Sequence, residues 1–581
     1  MVAFTLLAVI LIASGAVAWF YFATQSSLPQ LDGSIAVHGL GARVSVVRDR
    51  QGVPHINAAT LDDLFFAQGY VTAQDRLWQM DMLRRYGAGE LAEVLGHRYV
   101  ALDRQQRTLL MPMIAQNAAA RLPAREREYF EDYARGVNAF IAESGRLPIE
   151  FRLLRYRPRP WTVTDSVLVA GNMVQTLNLE TLPHELAREA ISARLDPEMA
   201  ADLYPNSSWR DHPPLVLPGH DEFVPPEEDQ NQQEEEQPAP PPPPAPRPRR
   251  KRAAGSRLSA FVGQPAQPVS RNGETSGALG SWPLALGWQP VQHETENGER
   301  ETAPGSNNWV VSGAHTVSGK PLLANDMHLS HTLPNVWYEA HLTSGDFDVA
   351  GVSLPGMPFV IVGHNQRIAW GFTNLGPSVA DVYVEYFNAS GEYLTPEGWH
   401  RPELRREKIK VHGRADEEVE ITITRHGPII SGLSPEGLIP GSSQRQSRPP
   451  ETRKLALKWT AFDPDALQVP FFDLDSAHDW ESFRLALRHL TSPAQNVVYA
   501  DVDGHIGYQA TGMIPIRAAG DGALPVPGAD NNHEWTGYLQ FEQLPSVLDP
   551  PSGIIATANG RIAPDGYPFS LSNEWGSPYR T

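Results

Sequence analysis

The stretch "APGSNNWVV", residues 303–311, lies where two very different kinds of sequence meet. Before it, residues 225–304 are rich in proline and charge and begin "PPEEDQNQQEEEQPAPPPPPAPRPRRKR". Such a composition buries too little apolar surface to offset the entropy of ordering, so we expect this spacer to be disordered. After it, apolar and polar residues alternate, which predicts antiparallel strands. The chain therefore changes from spacer to sheet within a few residues of Ser306.

Cleavage of the bond between Gly305 and Ser306 would give this placement a chemical purpose. Ser306 would then carry a free α-amine, whose ordinary pKa of about 7.7 to 8.0 leaves a useful fraction neutral near pH 7. That amine can act as the base for the serine hydroxyl, directly or through one water. Gly305 permits the tight turn from which the hydroxyl attacks the preceding carbonyl. The pattern predicts a maturation site.

The region before the spacer is predicted to be mostly helical. The sequence "RVSVVRDRQGVPHI", residues 43–56, first indicates two short strands around a turn. Thr60 with Asp63 forms a capping-box pattern that opens a long helix. Further helices are expected over residues 124–143 and 163–195. We therefore expect an α-chain over residues 33–222, a spacer propeptide over 223–305 and a β-chain over 306–581.

The β-chain is predicted to be antiparallel sheet interrupted by one helix. Ser476 with Asp479 is the expected cap of that helix, which presents the apolar residues Trp480, Phe483, Leu487 and Leu490 on one face. The following sequence "NVVYADVDGHIGYQATG" predicts a hairpin that turns at Asp503-Gly504.

The N-terminus is suited to a membrane. Residues 2–22 carry no charge and have about the 20-residue length that crosses a bilayer core. We interpret residues 1–23 as a signal peptide or an uncleaved signal-anchor, with 24–32 as a tether. The body of the protein would then be periplasmic or otherwise extracytoplasmic, and a membrane would be a partner. A buried core helix is the alternative.

Composition excludes several classes of function. The formal net charge of −19 argues against a surface that binds nucleic acid. The one dense basic run, residues 247–252, lies inside the spacer and is more typical of a solubilising tether. The absence of cysteine excludes disulfides, thiolate metal sites and a cysteine nucleophile.

Four blocks of sequence carry a resemblance to a known family. They are "GVPHINAATLDDLFFAQGYVTAQDRLWQMDMLRRYGAGELAEVLG" (52–96), "GSNNWVVSGAHTVSGKPLLANDMHL" (305–329), "GHNQRIAWGFTN" (363–374) and "QNVVYADVDGHIGY" (495–508). Together they closely resemble the penicillin acylase family of N-terminal nucleophile hydrolases. The resemblance implies an α+β class with a four-layer αββα fold. It also implies a precursor that cleaves itself into an α/β heterodimer and needs no organic cofactor.

The resemblance also implies an activity and the residues that perform it. The substrate is expected to be a small N-acyl amide such as a penicillin-type β-lactam or an acyl-homoserine lactone, hydrolysed through an acyl-enzyme. Ser306 matches the nucleophile, and Gly305-Ser306 the self-cleaved bond. His328 matches a position whose backbone amide helps to form the oxyanion hole, and its imidazole would tune the amine or orient water.

Further site residues follow from the same match. Asn496 corresponds to the side-chain donor of the oxyanion hole, whose loss would cost about 3 to 4 kcal/mol of transition-state stabilisation. Asn374 or its neighbour Leu375 would supply a second, backbone donor. Arg517 matches a family arginine near the site.

A structural calcium ion is a further expectation. Many relatives hold Ca²⁺ with two aspartates and a glutamate, and Glu185 and Asp381 match two of these positions. Ala380 belongs to the same candidate set, but Ser378 stands where the first aspartate is expected. Because calcium affinity depends on the number of charged ligands, retention of the metal is left open. Any metal present would be structural.

The acyl pocket and the end of the chain leave alternatives open. Met173, Leu177, Met357 and Phe359 are the pocket candidates, and they favour an aliphatic or aromatic acyl group. Phenylacetyl amides, long-chain acyl-homoserine lactones and acylated peptides all fit that description. Relatives continue beyond residue 581, so we expect the C-terminal part of the β-chain to be missing, to be supplied by a partner chain, or to be lost in a degenerate copy.

A different class of function is the second hypothesis. The chain would then be a non-catalytic, membrane-tethered scaffold or a degenerate acylase homologue, whose proline-rich segment binds a partner with an aromatic groove. Cleavage before Ser306 distinguishes the two hypotheses.

Overall fold

The computed structural model describes residues 2–143, 145, 147–179, 182–205, 207–208, 211–214, 305–329, 332–433, 451–576 and 578–580. Apart from Gly305, the predicted spacer over residues 223–305 lies outside the described residues. Its disorder and the boundaries of the two predicted chains stay predictions.

Helices dominate the region before the spacer, as its periodicity predicts. Their bounds are α1 (Val2–Ser27), α2 (Leu61–Ala88), α3 (Ala92–Leu95), α4 (Val100–Thr108), α5 (Met111–Arg121), α6 (Ala124–Glu143), α7 (Ile149–Leu153), α8 (Val163–Asn178), α9 (Leu182–Ser192) and α10 (Pro197–Leu203), followed after the spacer by α11 (Phe471–Asp475) and α12 (Trp480–Leu487). The Thr60 hydroxyl accepts the Asp63 amide at 3.2 Å and so begins α2 where the capping pattern predicts. The single helical region expected over 163–195 is divided between α8 and α9.

The cap of α12 differs from the prediction. Asp479 alone is the N-cap, because its carboxylate accepts the Ser482 amide at 2.8 Å. Ser476 instead follows the last residue of α11. Two helices in close succession therefore stand where one was expected.

Helix α1 is long and apolar enough to cross a membrane, and within the described residues it alone meets that criterion. Its window Phe4–Ser27 has a mean hydropathy of 2.2. Its apolar side chains are exposed, including Phe4, Leu11 and Phe22. This exposure does not support the alternative of a buried core helix.

Strands form the rest of the fold. Their bounds are β1 (Ser45–Arg48), β2 (Pro54–Asn57), β3 (Gly305–Val311), β4 (Leu322–His328), β5 (Tyr338–Ser344), β6 (Phe347–Ser353), β7 (Val362–Asn365), β8 (Ile368–Asn374), β9 (Ala380–Glu385), β10 (Tyr393–Thr395), β11 (Gly398–His400), β12 (Glu403–Ile409), β13 (Glu417–Thr424), β14 (Gly427–Pro428), β15 (Lys454–Trp459), β16 (Gln495–Asp501), β17 (Ile506–Ala510), β18 (Pro515–Arg517), β19 (Val526–Pro527), β20 (Trp535–Tyr538), β21 (Ser546–Leu548) and β22 (Ile554–Thr557). Within the described residues the largest sheet has the order β1-β2-β5-β6-β7-β8-β16-β17-β21, and a second sheet has the order β22-β3-β4. Smaller sheets are β15-β9-β19, β12-β13-β14, β18-β20 and β10-β11. The predicted hairpin at Asp503-Gly504 joins β16 to β17.

Alternation along β8 shows how the layers stack. Trp370 and Phe372 belong to the apolar core shared with the helices, whereas the intervening Gly371 faces the β22-β3-β4 sheet. A Cβ atom at Gly371 would lie 2.8 Å from Asn325 Cβ on β4, so the close approach of the two sheets requires glycine there. The same sheet therefore has helices on one face and a second sheet on the other.

The helical layer is held by an equally close contact between α2 and α6. A Cβ atom at Gly136 of α6 would lie 1.8 Å from the Phe66 carbonyl oxygen of α2. The mixture of packed helices and mostly antiparallel sheets confirms the predicted α+β class. The complete four-layer arrangement stays a prediction.

Candidate active site

Ser306 is the second residue of β3, opposite Met327 of β4. The serine is almost completely buried, and two side chains from distant parts of the chain hold its backbone. Its amide nitrogen donates to Asn559 Oδ1 at 2.7 Å, and its carbonyl oxygen accepts Arg580 Nη2 at 3.2 Å. Ser306 therefore has a fixed backbone position on a strand between two others.

Asn559 and Arg580 are site residues that the sequence analysis did not identify. Asn559 follows β22 with a positive φ of 64°, a conformation that asparagine tolerates better than most residues. Its Nδ2 donates to the Asn374 carbonyl at 2.8 Å, and its Oδ1 also accepts Arg580 Nη1 at 3.0 Å. The sequence "TANGR" signals only a turn, and nothing local in it indicates a contact with Ser306.

An apolar cavity of about 770 Å³, including its open mouth, has Ser306 in its wall. Apolar lining residues include Met173, Val174, Leu177, Leu354, Met357 and Phe372. Helix α8 thus supplies one wall, and the β-strands and their loops supply the others.

The structure separates Phe359 from the other pocket candidates. Met173, Leu177 and Met357 line the cavity, whereas Phe359 does not. Its ring packs against Phe65 at a centroid distance of 5.0 Å, inside the core between α2 and the large sheet. The structure therefore places Phe359 in the core, because an aromatic residue in a buried loop fits the apolar pattern of a core as well as that of a pocket.

The predicted oxyanion-hole residues occupy different positions. Asn374 lines the cavity, and the Leu375 amide already donates to the Ala494 carbonyl at 3.2 Å. Asn496 is fully buried: its Nδ2 donates to Thr373 Oγ1 at 3.0 Å and to the Asn374 carbonyl at 3.4 Å, and its Oδ1 accepts the Tyr508 hydroxyl at 2.8 Å. Asn559 is the side-chain amide that contacts the Ser306 backbone, and the oxyanion role of Asn496 stays a prediction.

His328 lies across from Gly305 in the ladder between β3 and β4. Its side chain is 41% exposed, and its Nε2 lies 3.1 Å from the Asp326 carboxylate. His328 is not among the residues that line the cavity. A role for its imidazole in tuning the amine stays a prediction.

Arg517 lies outside the Ser306 cavity, next to the candidate calcium residues. Its Nε and Nη2 atoms donate to the two Asp381 oxygens at 2.8 Å each. Its Nη2 also donates to the Ser378 carbonyl at 2.6 Å. The expectation that this arginine adjoins the nucleophile is not supported by its contacts, because they tie it to β9 instead.

Two of the candidate metal residues, Asp381 and Ser378, are not arranged as calcium ligands, whereas Glu185 Oε2 is buried beside a small polar cavity without a hydrogen-bond partner in the described part of the chain. Both Asp381 oxygens accept N–H groups, and Asp381 Oδ2 also accepts Trp535 Nε1 at 2.6 Å. Burial, together with the negative charge of Asp381, raises the pKa of Glu185 well above its ordinary value. Among the described residues, no group of three or more carboxylate or histidine side chains is placed to hold a metal.

Comparison with known proteins gives the family. The penicillin amidase family model matches residues 43–581. The chain is 31% identical to a penicillin acylase 2 proenzyme of Pseudomonas sp. (strain SE83) over 573 residues, which are 96% of this chain and 64% of that protein. It is also 31% identical to the acyl-homoserine lactone acylase QuiP of Pseudomonas aeruginosa over 98% of this chain and 61% of that protein.

A solved structure also matches in part. The thermostable penicillin G acylase from Alcaligenes faecalis is 28% identical, with a TM-score of 0.40 over 47% of each chain. The chain spans less than two thirds of the length of the two curated relatives. Because the family model covers nearly the whole sequence, the chain belongs to the penicillin amidase family.

Proposed function

We propose that this protein is an acylase that hydrolyses the amide bond of an N-acylated small molecule, with Ser306 as the nucleophile. The observation that carries the proposal is the position of Ser306 in the wall of an apolar cavity. Relatives named as penicillin acylase and acyl-homoserine lactone acylase support the same reaction class.

Maturation is the first step of the proposal. Cleavage between Gly305 and Ser306 converts the serine nitrogen from an amide into an amine and gives an α/β heterodimer. Asn559 Oδ1, 2.7 Å from that nitrogen, can accept a hydrogen bond from the amine and so orient its lone pair. The amine then takes the hydroxyl proton, directly or through one water, as Ser306 Oγ attacks the substrate carbonyl carbon.

The oxyanion that forms needs donors fixed in advance. Asn559 Nδ2 carries two N–H groups, of which one donates to the Asn374 carbonyl. The second N–H of Asn559 and the backbone amide of Asn374 are the donors that we assign to the oxyanion. Collapse of the intermediate passes the proton to the departing amine, and water then hydrolyses the acyl-serine ester.

The cavity sets the class of acyl group. Its walls near Ser306 are formed mainly by aliphatic, methionine and aromatic side chains. A charged acyl group would lose its hydration there without an ionic partner, which disfavours its binding. Aliphatic or aromatic acyl amides, including penicillin-type and acyl-homoserine lactone substrates, fit this surface.

Helix α1 is the basis for the proposed cellular location of the protein. Its length, composition and exposed apolar side chains support a signal sequence or a membrane anchor, and hence an extracytoplasmic site of action. The scaffold hypothesis has no comparable support, because its proline-rich segment lies outside the described residues.

The test is hydrolysis of a panel of N-acyl amides by the wild-type protein and by Ser306→Ala. Release of the free amine from aliphatic and phenylacetyl substrates is measured for both proteins. We expect activity from the wild type, none from Ser306→Ala and full activity from Ser390→Ala, which changes an exposed serine in a turn. Equal activity of Ser306→Ala, or a folded wild type that hydrolyses no member of the panel, would overturn the proposal.

A further inference from the structure

We propose that the Arg517 guanidinium replaces the divalent cation expected at Asp381, so that this part of the fold is held together without a metal. We call Arg517, Asp381, Ser378 and Trp535 the Arg517 junction. The junction connects the end of β18 to the start of β9 and to β20. The inference concerns stability and does not depend on the role of Ser306.

Both oxygens of the Asp381 carboxylate accept hydrogen bonds from nitrogen donors. Arg517 makes a two-pronged contact, with Nε to Oδ2 and Nη2 to Oδ1 at 2.8 Å each. Trp535 Nε1 adds a third donor to Oδ2 at 2.6 Å. This planar fork is the geometry in which arginine binds a carboxylate most strongly.

The Ser378 oxygens are also engaged. The carbonyl accepts Arg517 Nη2 at 2.6 Å, and the hydroxyl accepts the Asn573 amide at 3.2 Å. A calcium ion needs about six to eight oxygens at about 2.3 to 2.6 Å, with no hydrogens between them and the ion. The candidate ligand oxygens of Asp381 and Ser378 point at N–H groups instead.

Packing leaves the guanidinium little freedom to move aside. The side chains of Arg517 and Asp381 are each only 5% exposed. A Cβ atom at Gly522 would lie 2.6 Å from Asp381 Oδ1 and 2.8 Å from Arg517 Nη2, so the loop backbone closes over the pair. Removing one partner of such a buried pair leaves an uncompensated charge in the interior.

The charges at the junction differ from those of the metal site that the resemblance implies. That site has two aspartates and a glutamate, whereas here Ser378 supplies no carboxylate. The fixed positive charge of Arg517 faces Asp381, and Glu185 borders the same small cavity as Ser378. The guanidinium therefore supplies one positive charge at Asp381, where a divalent ion would supply two.

The wild-type protein provides the decisive arm of the test. Bound calcium is measured by elemental analysis after dialysis, and the melting temperature is measured in excess EDTA and in excess CaCl₂. We expect far less than one calcium per chain and the same melting temperature in both buffers. Stoichiometric calcium, with a melting temperature that falls in EDTA, would overturn the inference.

A pair of variants tests the arginine itself. Arg517→Gln is expected to lower the melting temperature by several degrees in either buffer, because Asp381 is left buried without its counter-charge. The matched control is Arg367→Gln, whose partner Asp503 is exposed and whose ion pair should contribute little. If Arg517→Gln melts no lower than Arg367→Gln, the guanidinium does not hold the junction and the inference fails. If Arg517→Gln does not fold, the wild-type measurements still decide.

Discussion

The Ser306 cavity and the Arg517 junction both lie where the β-chain meets helices, yet they use polar groups in opposite ways. In the cavity, apolar walls surround Ser306, with Asn374 and Gln495 among the polar residues of the lining and Asn559 bonded to the serine backbone. In the junction, the Arg517 Nε and Nη2 groups are both satisfied by the carboxylate oxygens of Asp381. Catalysis needs hydrogen-bonding groups left for the substrate, whereas structural stability needs them satisfied within the fold.

Removal of the Asn559 amide should give the largest effect. We expect Asn559→Ala to lower kcat by about 10² to 10³, because a fixed oxyanion donor is lost. The measurement is kcat and KM for one acyl amide on purified, processed protein.

A second variant, Asn496→Ala, tests which of the two asparagines, Asn496 or Asn559, is the oxyanion donor. Asn496 is buried among Thr373 and Tyr508, so its loss should lower the melting temperature and leave kcat per folded molecule within a few-fold of wild type. A large loss of kcat in Asn496→Ala, with Asn559→Ala unaffected, would return the oxyanion role to Asn496.

A filled cavity should change substrate preference by a smaller factor. Leu177 lines the cavity on α8, and Leu177→Trp places a larger side chain in the space meant for the acyl group. We expect kcat/KM for a long acyl chain to fall about tenfold relative to a short one. Leu485→Trp, at an exposed position on α12, should leave the ratio unchanged. An unchanged ratio in Leu177→Trp would show that the acyl group binds elsewhere.

Glu534, which precedes Trp535 of the junction, should have the smallest effect, a loss of folding stability that is seen only at acidic pH. Burial alone would raise the pKa of Glu534, but hydrogen bonds with His426 and Lys458 outweigh it and lower the pKa to about 2. Because the folded pKa lies below the unfolded one, this stabilisation is present above about pH 4.5 and is lost as the pH falls toward 2.

Urea unfolding between pH 5 and 3, which covers the upper part of the interval between those two pKa values, measures this contribution. Glu534→Gln should lose stability less steeply with acid than wild type, and Glu339→Gln, an exposed control, should follow wild type. Parallel curves for Glu534→Gln and wild type would contradict the assignment.

The periodic parts of the fold were predictable from sequence because their signals are local. The Thr60 cap, the helix over 124–143 and the hairpin at Asp503-Gly504 all occur where residue patterns place them. Each depends on contacts between residues close in the chain.

The rest of the site depends on contacts that no local pattern encodes. Asn559 reaches Ser306 across 253 positions of sequence, and in isolation it is only a turn residue. The resemblance placed Arg517 near the nucleophile, but no local pattern indicates its contacts with Asp381 and Ser378. Phe359 fits both a pocket and a core, and only its packing against Phe65 distinguishes them.

Intact mass measurement with N-terminal sequencing of the purified wild-type protein tests the central claim most directly. The mechanism requires a free amine on Ser306, so we predict two chains, the second beginning "SNNWVV", and an uncleaved Ser306→Ala variant measured beside it. A folded wild-type protein that retains the Gly305–Ser306 bond would contradict the assignment of Ser306 as an N-terminal nucleophile.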